Sequence, residues 1–349
     1  MNILIVGGAG YIGSMLLYEL VKKGHNVTIY DNLKYGQKSL SRVEEVLEGK
    51  IKFEDMFDKE YKIKTKYKHF DFVVGNTFDK KLLEKVFEKK FDFVFHFGEL
   101  VGISICDRNP NFTENINFVG TKNVIDLCEK YCATLVYNSS SSIYGFQEKN
   151  DLLSEEAKIP EPTDEYCRNK IRIENYIKTK NIKCVIFRPS TVGGISFRMR
   201  MMLMPHDFAY ALLVNKKFTL SNPNHYRAMV HINDMMNGYM LLLDNKDKIQ
   251  KHTYNIGNDD LNLTKREFLQ LVENNIENPE YNIQLKEGKG DVRNVRVSSS
   301  KFSNDFGYKP VNNFNDMVKP VLSLFQKNPN VFDSYEYFNE PALWKDLMN

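Results

Sequence analysis

The chain opens with a stretch that leaves few folds open: Ile3-Leu4-Ile5-Val6, then Gly7-Gly8-Ala9-Gly10-Tyr11-Ile12-Gly13. A short apolar run of this kind reads as a strand buried on both faces. Glycines recur at every third position, and an apolar pattern at helical spacing (Met15, Leu16, Leu17, Leu20, Val21) runs on to Gly24. Strand, tight glycine turn and helix N-terminus, in that order, make a cradle for an anion. Backbone N–H groups and the positive end of the helix dipole both face it, as a pyrophosphate requires. Gly7 allows the turn, Gly10 lets the backbone touch phosphate, and Gly13 lets the helix pack against the strand.

A second apolar strand, Val27-Thr28-Ile29-Tyr30, ends in Asp31. That carboxylate lies about 20 residues past the glycines, where it can hold the diol of an adenosine ribose. The residues that follow are Asn32, Leu33 and Lys34, with no arginine among them. A 2′-phosphate would meet the Asp31 charge, so the pattern predicts NAD rather than NADP. The competing reading is a strand–helix–strand unit that binds no nucleotide.

Bulk properties exclude several other classes. A chain of 349 residues can bury a substantial core as one large or two modest domains. Its formal charge of +3 makes no case for nucleic acid. Five cysteines, an odd number without a CxxC pair, read as reduced thiols. No apolar run reaches membrane-spanning length, and the N-terminus enters the first strand without a leader pattern. The expectation is a soluble, cytoplasmic protein that binds neither nucleic acid nor membrane.

Strands alternate with helical patterns through the first half, which predicts a doubly wound parallel sheet. The alternating stretch Lys59–Lys68 is expected to be an edge hairpin whose lysines block edge-to-edge pairing. Phe72–Thr77 reads as a third strand, with Asn76 facing the adenine site. Phe91–Phe97 reads as a fourth, followed by the loop Gly98-Glu99-Leu100-Val101-Gly102. Helices are expected over Lys80–Lys90 and Asn115–Tyr131, and Thr134–Tyr137 runs as a strand into four serines. His96, alone at the end of an apolar strand, reads as a core histidine. No cluster has metal-ligand spacing, so no metal is expected.

The chemistry concentrates in Tyr166 and Lys170, which lie at i and i+4 of a helical pattern and leave the same face. An ammonium beside a phenol favours the phenolate. A phenolate can accept a hydroxyl proton while hydride leaves the same carbon for a nicotinamide. A serine at the end of the preceding strand can hydrogen-bond the reacting oxygen. A surface Tyr/Lys pair is the ordinary alternative, which the glycine turn, Asp31 and the serine strand outweigh together.

These motifs resemble the extended short-chain dehydrogenase/reductases, in particular the NAD-dependent epimerase/dehydratase family acting on nucleotide sugars. The resemblance runs through GGAGYIG from Gly7, DNLKYG from Asp31, the His96 segment and NFVGT from Asn117. It continues through SSSSIYG from Ser139, YCRNK from Tyr166 and FRPSTVGG from Phe187. YRAMVHINDM from Tyr226, YNIGN from Tyr254 and GDVRNVRVSSSKF from Gly290 carry it into the second half. It implies an NAD-binding Rossmann domain over 1–190 and a smaller α/β substrate domain over 191–349, with a helix near 232–243 packing back on the first. It implies Ser140, Tyr166 and Lys170 as catalytic residues, Lys170 also holding the nicotinamide ribose. The positions it gives to the dinucleotide are Gly7, Gly10, Tyr11, Ile12, Gly13, Asp31, Asn32, Leu33, Tyr35, Gly36, Asn76, Thr77, Phe97, Gly98, Glu99, Asn117 and Pro189, besides Tyr166 and Lys170. It also implies a homodimer, or a dimer-based tetramer, joined through the Asn115 and Tyr166 helices.

Departures from the family pattern narrow the reaction. The 4,6-dehydratases carry Asp-Glu after the catalytic hydroxyl residue, where this chain has Ser141 and Ser142. The 3,5-epimerase/reductases place cysteine at the Ser142 position. Redox at one carbon remains, most simply C4, as a 4-epimerase, a 4-dehydrogenase or a 4-ketoreductase; a non-catalytic dinucleotide-binding regulator is the alternative class. Glu99 stands where two small residues usually continue, and Thr191 where many family epimerases have asparagine. Ser141 and Thr191 are expected at the sugar diphosphate, with Arg198, Arg200, Arg227 and Arg293 as its candidate cations. Asn233 and Asp234 read as helix caps, and the aromatic tail around Tyr335, Tyr337, Phe338 and Trp344 as a docking segment.

Overall fold

The structure is a computed structural model that describes residues 1–332 apart from 59, 63, 278, 279 and 289. The aromatic tail expected to dock lies outside the described residues. Seven parallel strands form the central sheet: β1 (Asn2–Val6), β2 (Asn26–Asp31), β3 (Asp71–Val74), β4 (Phe93–His96), β5 (Thr134–Asn138), β7 (Cys184–Pro189) and β11 (His252–Ile256). Their order is β11-β7-β5-β4-β1-β2-β3. The order reverses between β1 and β4, and a crevice at that switch is where such sheets take ligands.

Apolar side chains alternate across the sheet into two cores. Ile3, Ile5, Ile29, Phe95 and Phe187 face the helices Tyr11–Lys22, Lys38–Leu47 and Ile232–Asp244. Leu4, Val6, Tyr30, Val94, Leu135 and Ile186 face Lys80–Phe87, Thr121–Tyr131 and Glu165–Lys178. Helices on both faces explain why the strands read as unbroken apolar runs rather than alternating ones.

Three small sheets accompany the central sheet among the described residues. β8 (Thr191–Gly193) and β12 (Asn258–Thr264) flank β10 (Tyr226–His231); β9 (Lys217–Ser221) pairs with β13 (Asn282–Lys286); β6 (Leu152–Leu153) pairs with β14 (Arg296–Val297). The large sheet thus draws its last strand, β11, from beyond the expected boundary at 190. Between β7 and β11 the Ile232–Asp244 helix packs Tyr239 against Phe95, Phe97 and Phe187.

Two local expectations are corrected. No hairpin forms among the described residues of 59–68. Tyr61 and Tyr67 are buried, and the Ser41 hydroxyl, the Gln37 amide and the Glu44 carboxylate bind the backbone of Lys62, Lys64 and Lys68. The alternation records aromatic rings inserted under the Lys38–Leu47 helix, not strand pairing. The cap of the Ile232–Asp244 helix is His231, whose Nδ1 accepts from the Asn233 N–H at 3.1 Å. Asp234 instead accepts from the Val311 and Asn312 backbone at 3.0 and 3.2 Å. Among the described residues no group of His, Cys, Asp and Glu could hold a metal ion, and no helix is long and apolar enough to cross a membrane.

Candidate active site

The turn after β1 is built as its glycines require. Gly7 has φ +84, and a Cβ there would lie 2.5 Å from the Gly98 nitrogen, so β1 and β4 could not approach as they do. A Cβ on Gly13 would lie 2.3 Å from the Gly7 carbonyl oxygen. The Tyr11–Lys22 helix has Gly10 as N-cap with no side-chain cap, which leaves its first N–H groups directed at the crevice. Both Asp31 carboxylate oxygens accept backbone N–H groups, from Ala9 at 3.0 Å and Leu33 at 2.8 Å. Burial pushes the Asp31 carboxyl up, and those two bonds and Arg198 offset this only in part, leaving it above the ordinary value.

A groove at this turn is lined by Gly7, Gly10, Tyr11, Ile12, Gly13, Asp31, Asn32, Tyr35, Gly36, Asn76, Thr77, Phe97, Gly98 and Glu99. Two expected members, Leu33 and Asn117, line neither this groove nor the cleft beside it. Leu33 uses its N–H on Asp31 and packs its side chain against the core. Asn117 is buried and binds both the N–H and the carbonyl of Leu100, at 2.7 and 2.9 Å, so it shapes the loop after β4. Pro189 lines the neighbouring cleft instead.

That cleft, of about 720 Å³, falls in the size range of small-molecule sites. Ile12, Phe97, Glu99, Val101 and Arg200 line both it and the groove, so the two meet there. Ser140, Tyr166 and Lys170 lie in its wall, Ser140 just beyond β5 and the other two on the Glu165–Lys178 helix. Asp164 caps this helix, accepting from the Cys167 N–H at 2.8 Å. The Ser140 hydroxyl hydrogen-bonds Tyr166. Lys170 Nζ sits 5.7 Å from the Tyr166 ring centroid and 4.8 Å from that of Tyr137, and donates to Glu99 and to the Asn138 carbonyl.

Burial raises the Tyr166 phenol; Lys170 and the Ser140 bond lower it, and Glu99 works against them. Burial likewise opposes the Lys170 ammonium, yet Glu99 and Tyr166 outweigh it and leave it held above the ordinary lysine value. His96 is fully buried, with Nε2 2.8 Å from the Thr121 hydroxyl, and burial pushes it down to about 3. It is a neutral core residue.

The far end of the cleft carries a cationic cluster. Asp291 accepts ion pairs from Arg227 and Arg293, each at 2.7 Å. Arg293 also donates to the Ser142 hydroxyl at 2.5 Å, and Ser141 and Thr191 line the wall alongside. Burial works against the Asp291 carboxylate, but the two guanidinium groups hold it well below the usual range. Burial brings Arg227 down to about 10. Lys265, which the motif reading did not single out, joins this end. Its ammonium donates to the Ser221 and Asp291 carbonyls at 2.8 and 2.9 Å, and burial brings it down to about 8.

Arg198 is not at this end of the cleft. Tyr11 donates to the Gly194 carbonyl at 2.8 Å, Ser196 donates to the Tyr11 carbonyl at 2.6 Å, and Arg42 donates to the Phe197 carbonyl at 2.9 Å. These bonds draw the segment after β8 over the first helix. Arg198 then sits in the groove, 4.2 Å over the Tyr35 ring. Arg200 lies between the two cavities.

Fold and site together define a Rossmann-type dinucleotide-binding protein with a Ser–Tyr–Lys centre at the end of its nucleotide groove. A family model, the NAD dependent epimerase/dehydratase family, matches residues 3–257, and the chain belongs to that family. Among its relatives, UDP-glucose 4-epimerase 2 of Arabidopsis thaliana is 25% identical, over 95% of this chain and 97% of that enzyme. The dTDP-D-glucose 4,6-dehydratase of Dictyostelium discoideum is 30% identical over 74% of this chain and 58% of that protein. In architecture the chain matches UDP-glucose 4-epimerase from Bifidobacterium longum, solved with NAD+ and UDP. The TM-score is 0.79 at 22% identity, covering 95% of this chain and 100% of that one.

Proposed function

We propose that the protein carries out NAD-dependent redox at C4 of a nucleotide-diphosphate sugar, as a 4-epimerase or a 4-dehydrogenase. The observation that carries this reading is the single cleft with Ser140, Tyr166 and Lys170 at one end and the Arg227–Asp291–Arg293 cluster at the other. A sugar diphosphate bridges such a pair of sites, its phosphates on the arginines and its ring at the tyrosine.

The glycine turn, Asp31 and the Asn76–Thr77 wall fit the dinucleotide, because the cradle has no room for side chains at Gly7 and Gly13. NAD bound there supplies a hydride acceptor, and in its reduced form a donor. Tyr166 takes the proton from the sugar hydroxyl and returns it to the oxygen, Ser140 hydrogen-bonds that oxygen, and Lys170 sets the charge around both. Arg227 and Arg293 fix the diphosphate, so that rotation of the sugar exposes either face of C4 to the same hydride. Ser142, engaged by Arg293 and lacking an acidic proton, gives no support to elimination of water. A pairing of two copies through the Thr121–Tyr131 and Glu165–Lys178 helices, and a place in polysaccharide or glycoconjugate assembly, belong to the same reading.

The test is a mass-spectrometric assay with NAD and a panel of UDP-, GDP-, dTDP- and CDP-sugars. A stereoisomer of unchanged mass identifies an epimerase. A product lighter by two hydrogens, with NADH appearing, identifies a dehydrogenase. Loss of water would refute the assignment, and no turnover with NAD still bound would favour a regulator.

A further inference from the structure

Short side chains usually follow the β4 strand in this family; here a carboxylate does, and it is not in solvent. Glu99 and Lys170 are each 3% exposed and form a direct ion pair. The other Glu99 oxygen accepts from the Tyr137 hydroxyl at 3.0 Å and from the Thr121 hydroxyl at 3.4 Å. Lys170 spends a further N–H on the Asn138 carbonyl at the end of β5. The lysine that faces Tyr166 is therefore already matched by an anion, and two hydroxyls hold that anion in place.

We propose that Glu99 is a positioning residue for Tyr166 and Lys170: it ties the ammonium to the floor of the cleft and offsets its charge, so that Tyr166 holds its proton more tightly and is suited to giving it to a carbonyl oxygen. The proposal rests on the redox reading above. In this direction the Tyr166 O–H bond breaks and an O–H bond forms on the sugar oxygen. A C–H bond forms at the same carbon with hydride from a reduced nicotinamide dinucleotide, so the ketone is reduced and the dihydronicotinamide oxidised. The tyrosinate left behind regains a proton from water. The reverse step needs the tyrosinate first and accelerates as pH rises.

Every charged or titratable group near Tyr166 enters this balance. Lys170 and the Ser140 hydrogen bond favour the tyrosinate, Glu99 and Cys167 oppose it, and Arg200 approaches from the substrate side. Tyr137 and Cys106 border the same pair from β5 and the Ile103–Arg108 helix. Among the groups named here, Glu99 is the one that bonds Lys170 directly, with its side chain 3% exposed.

The experiment is an optical titration of tyrosinate in the full-length protein, without sugar substrate. Each curve is subtracted from that of the same protein carrying Tyr166→Phe, which isolates the Tyr166 midpoint. In Glu99→Gln, which keeps an amide to accept from Tyr137 and Thr121, the midpoint is expected to fall by at least about one pH unit. The rising limb of oxidative turnover should move down with it. Glu99→Asp, which keeps the charge, should stay near the parent. An unchanged midpoint in Glu99→Gln, with NAD affinity intact by calorimetry, overturns the proposal. Should Glu99→Gln not fold, the parent titration decides: a Tyr166 midpoint above the ordinary tyrosine value supports the proposal, and one at or below it refutes it. This readout needs no substrate, so the two failures are distinguishable: a silent sugar panel sinks the functional reading, while an unmoved midpoint sinks the role of Glu99.

Discussion

Tyr239 and Asn138 exchange hydrogen bonds across 101 residues of sequence: the Asn138 amide donates to the Tyr239 hydroxyl at 2.7 Å, and that hydroxyl lies 3.0 Å from the amide oxygen. Tyr239 is on the helix that returns to the sheet, and the Asn138 carbonyl is the one that accepts from Lys170. The pair thus connects the packing of that helix to the position of the ammonium. In Tyr239→Phe a buried amide loses its partner at both ends, which should cost about 1–3 kcal/mol. Thermal unfolding will show the loss, and turnover should fall more than NAD affinity does.

Tyr166→Phe removes the hydroxyl proposed to take and give the proton while keeping the ring. Turnover should drop by roughly 10²–10⁴-fold, the usual share of a general acid–base. The glycine turn and Asp31 are untouched, so calorimetric NAD affinity should remain. Unchanged turnover would exclude Tyr166 from the chemistry.

The glycine turn makes the converse prediction. A methyl on Gly13 would stand 2.3 Å from the Gly7 carbonyl oxygen and 2.7 Å from the Gly8 Cα, both rigid backbone. Gly13→Ala should push the helix away from the turn and weaken NAD binding by at least about ten-fold, or ~1.4 kcal/mol. Sugar-nucleotide binding in the neighbouring cleft should change much less.

Much of this site is legible along the chain because each piece is local. A glycine turn follows its own strand, Asp31 ends the next one, and Tyr166 and Lys170 share one helix turn. What escapes is what distant contacts create. Arg198 looks like a companion of Arg200 until the bonds from Tyr11, Ser196 and Arg42 draw its segment over the first helix. The absence of arginine after Asp31 is therefore only a local fact, since Arg198 arrives beside it in space. Asn117 carries a family motif, yet spends its amide on the Leu100 backbone. Glu99 is visible as an anomaly, but its partner Lys170 lies 71 residues away.

Asp291 accepts ion pairs from both Arg227 and Arg293, the cations proposed above for the diphosphate. Asp291→Asn keeps the shape while removing the charge that orients them. In the proposed reading both guanidinium groups hold the diphosphate equally in the ground state and the transition state, so the loss falls on binding rather than on the chemical step. KM for the sugar nucleotide should rise on the order of ten-fold, about 1.4 kcal/mol, with kcat little changed. A fall in kcat at constant KM would place Asp291 in the chemistry instead.

His96 predicts how the fold responds to acid. Its folded value is pushed down to about 3 by burial, against an ordinary value of 6.5, and His206, also fully buried, is brought down to about 4. Between these values and 6.5 the unfolded chain binds protons that the native one does not. Stability is therefore whole above about pH 6.5 and is lost as pH falls, by up to about 1.4 kcal/mol per pH unit for each histidine. His96→Gln can keep a bond to the Thr121 hydroxyl without titrating. Its denaturant-measured stability should fall less steeply between pH 6.5 and 4.5 than the parent's, by about one such slope. Equal slopes would mean that His96 is protonated in the native state, which the apolar floor of the sheet does not allow at a modest cost.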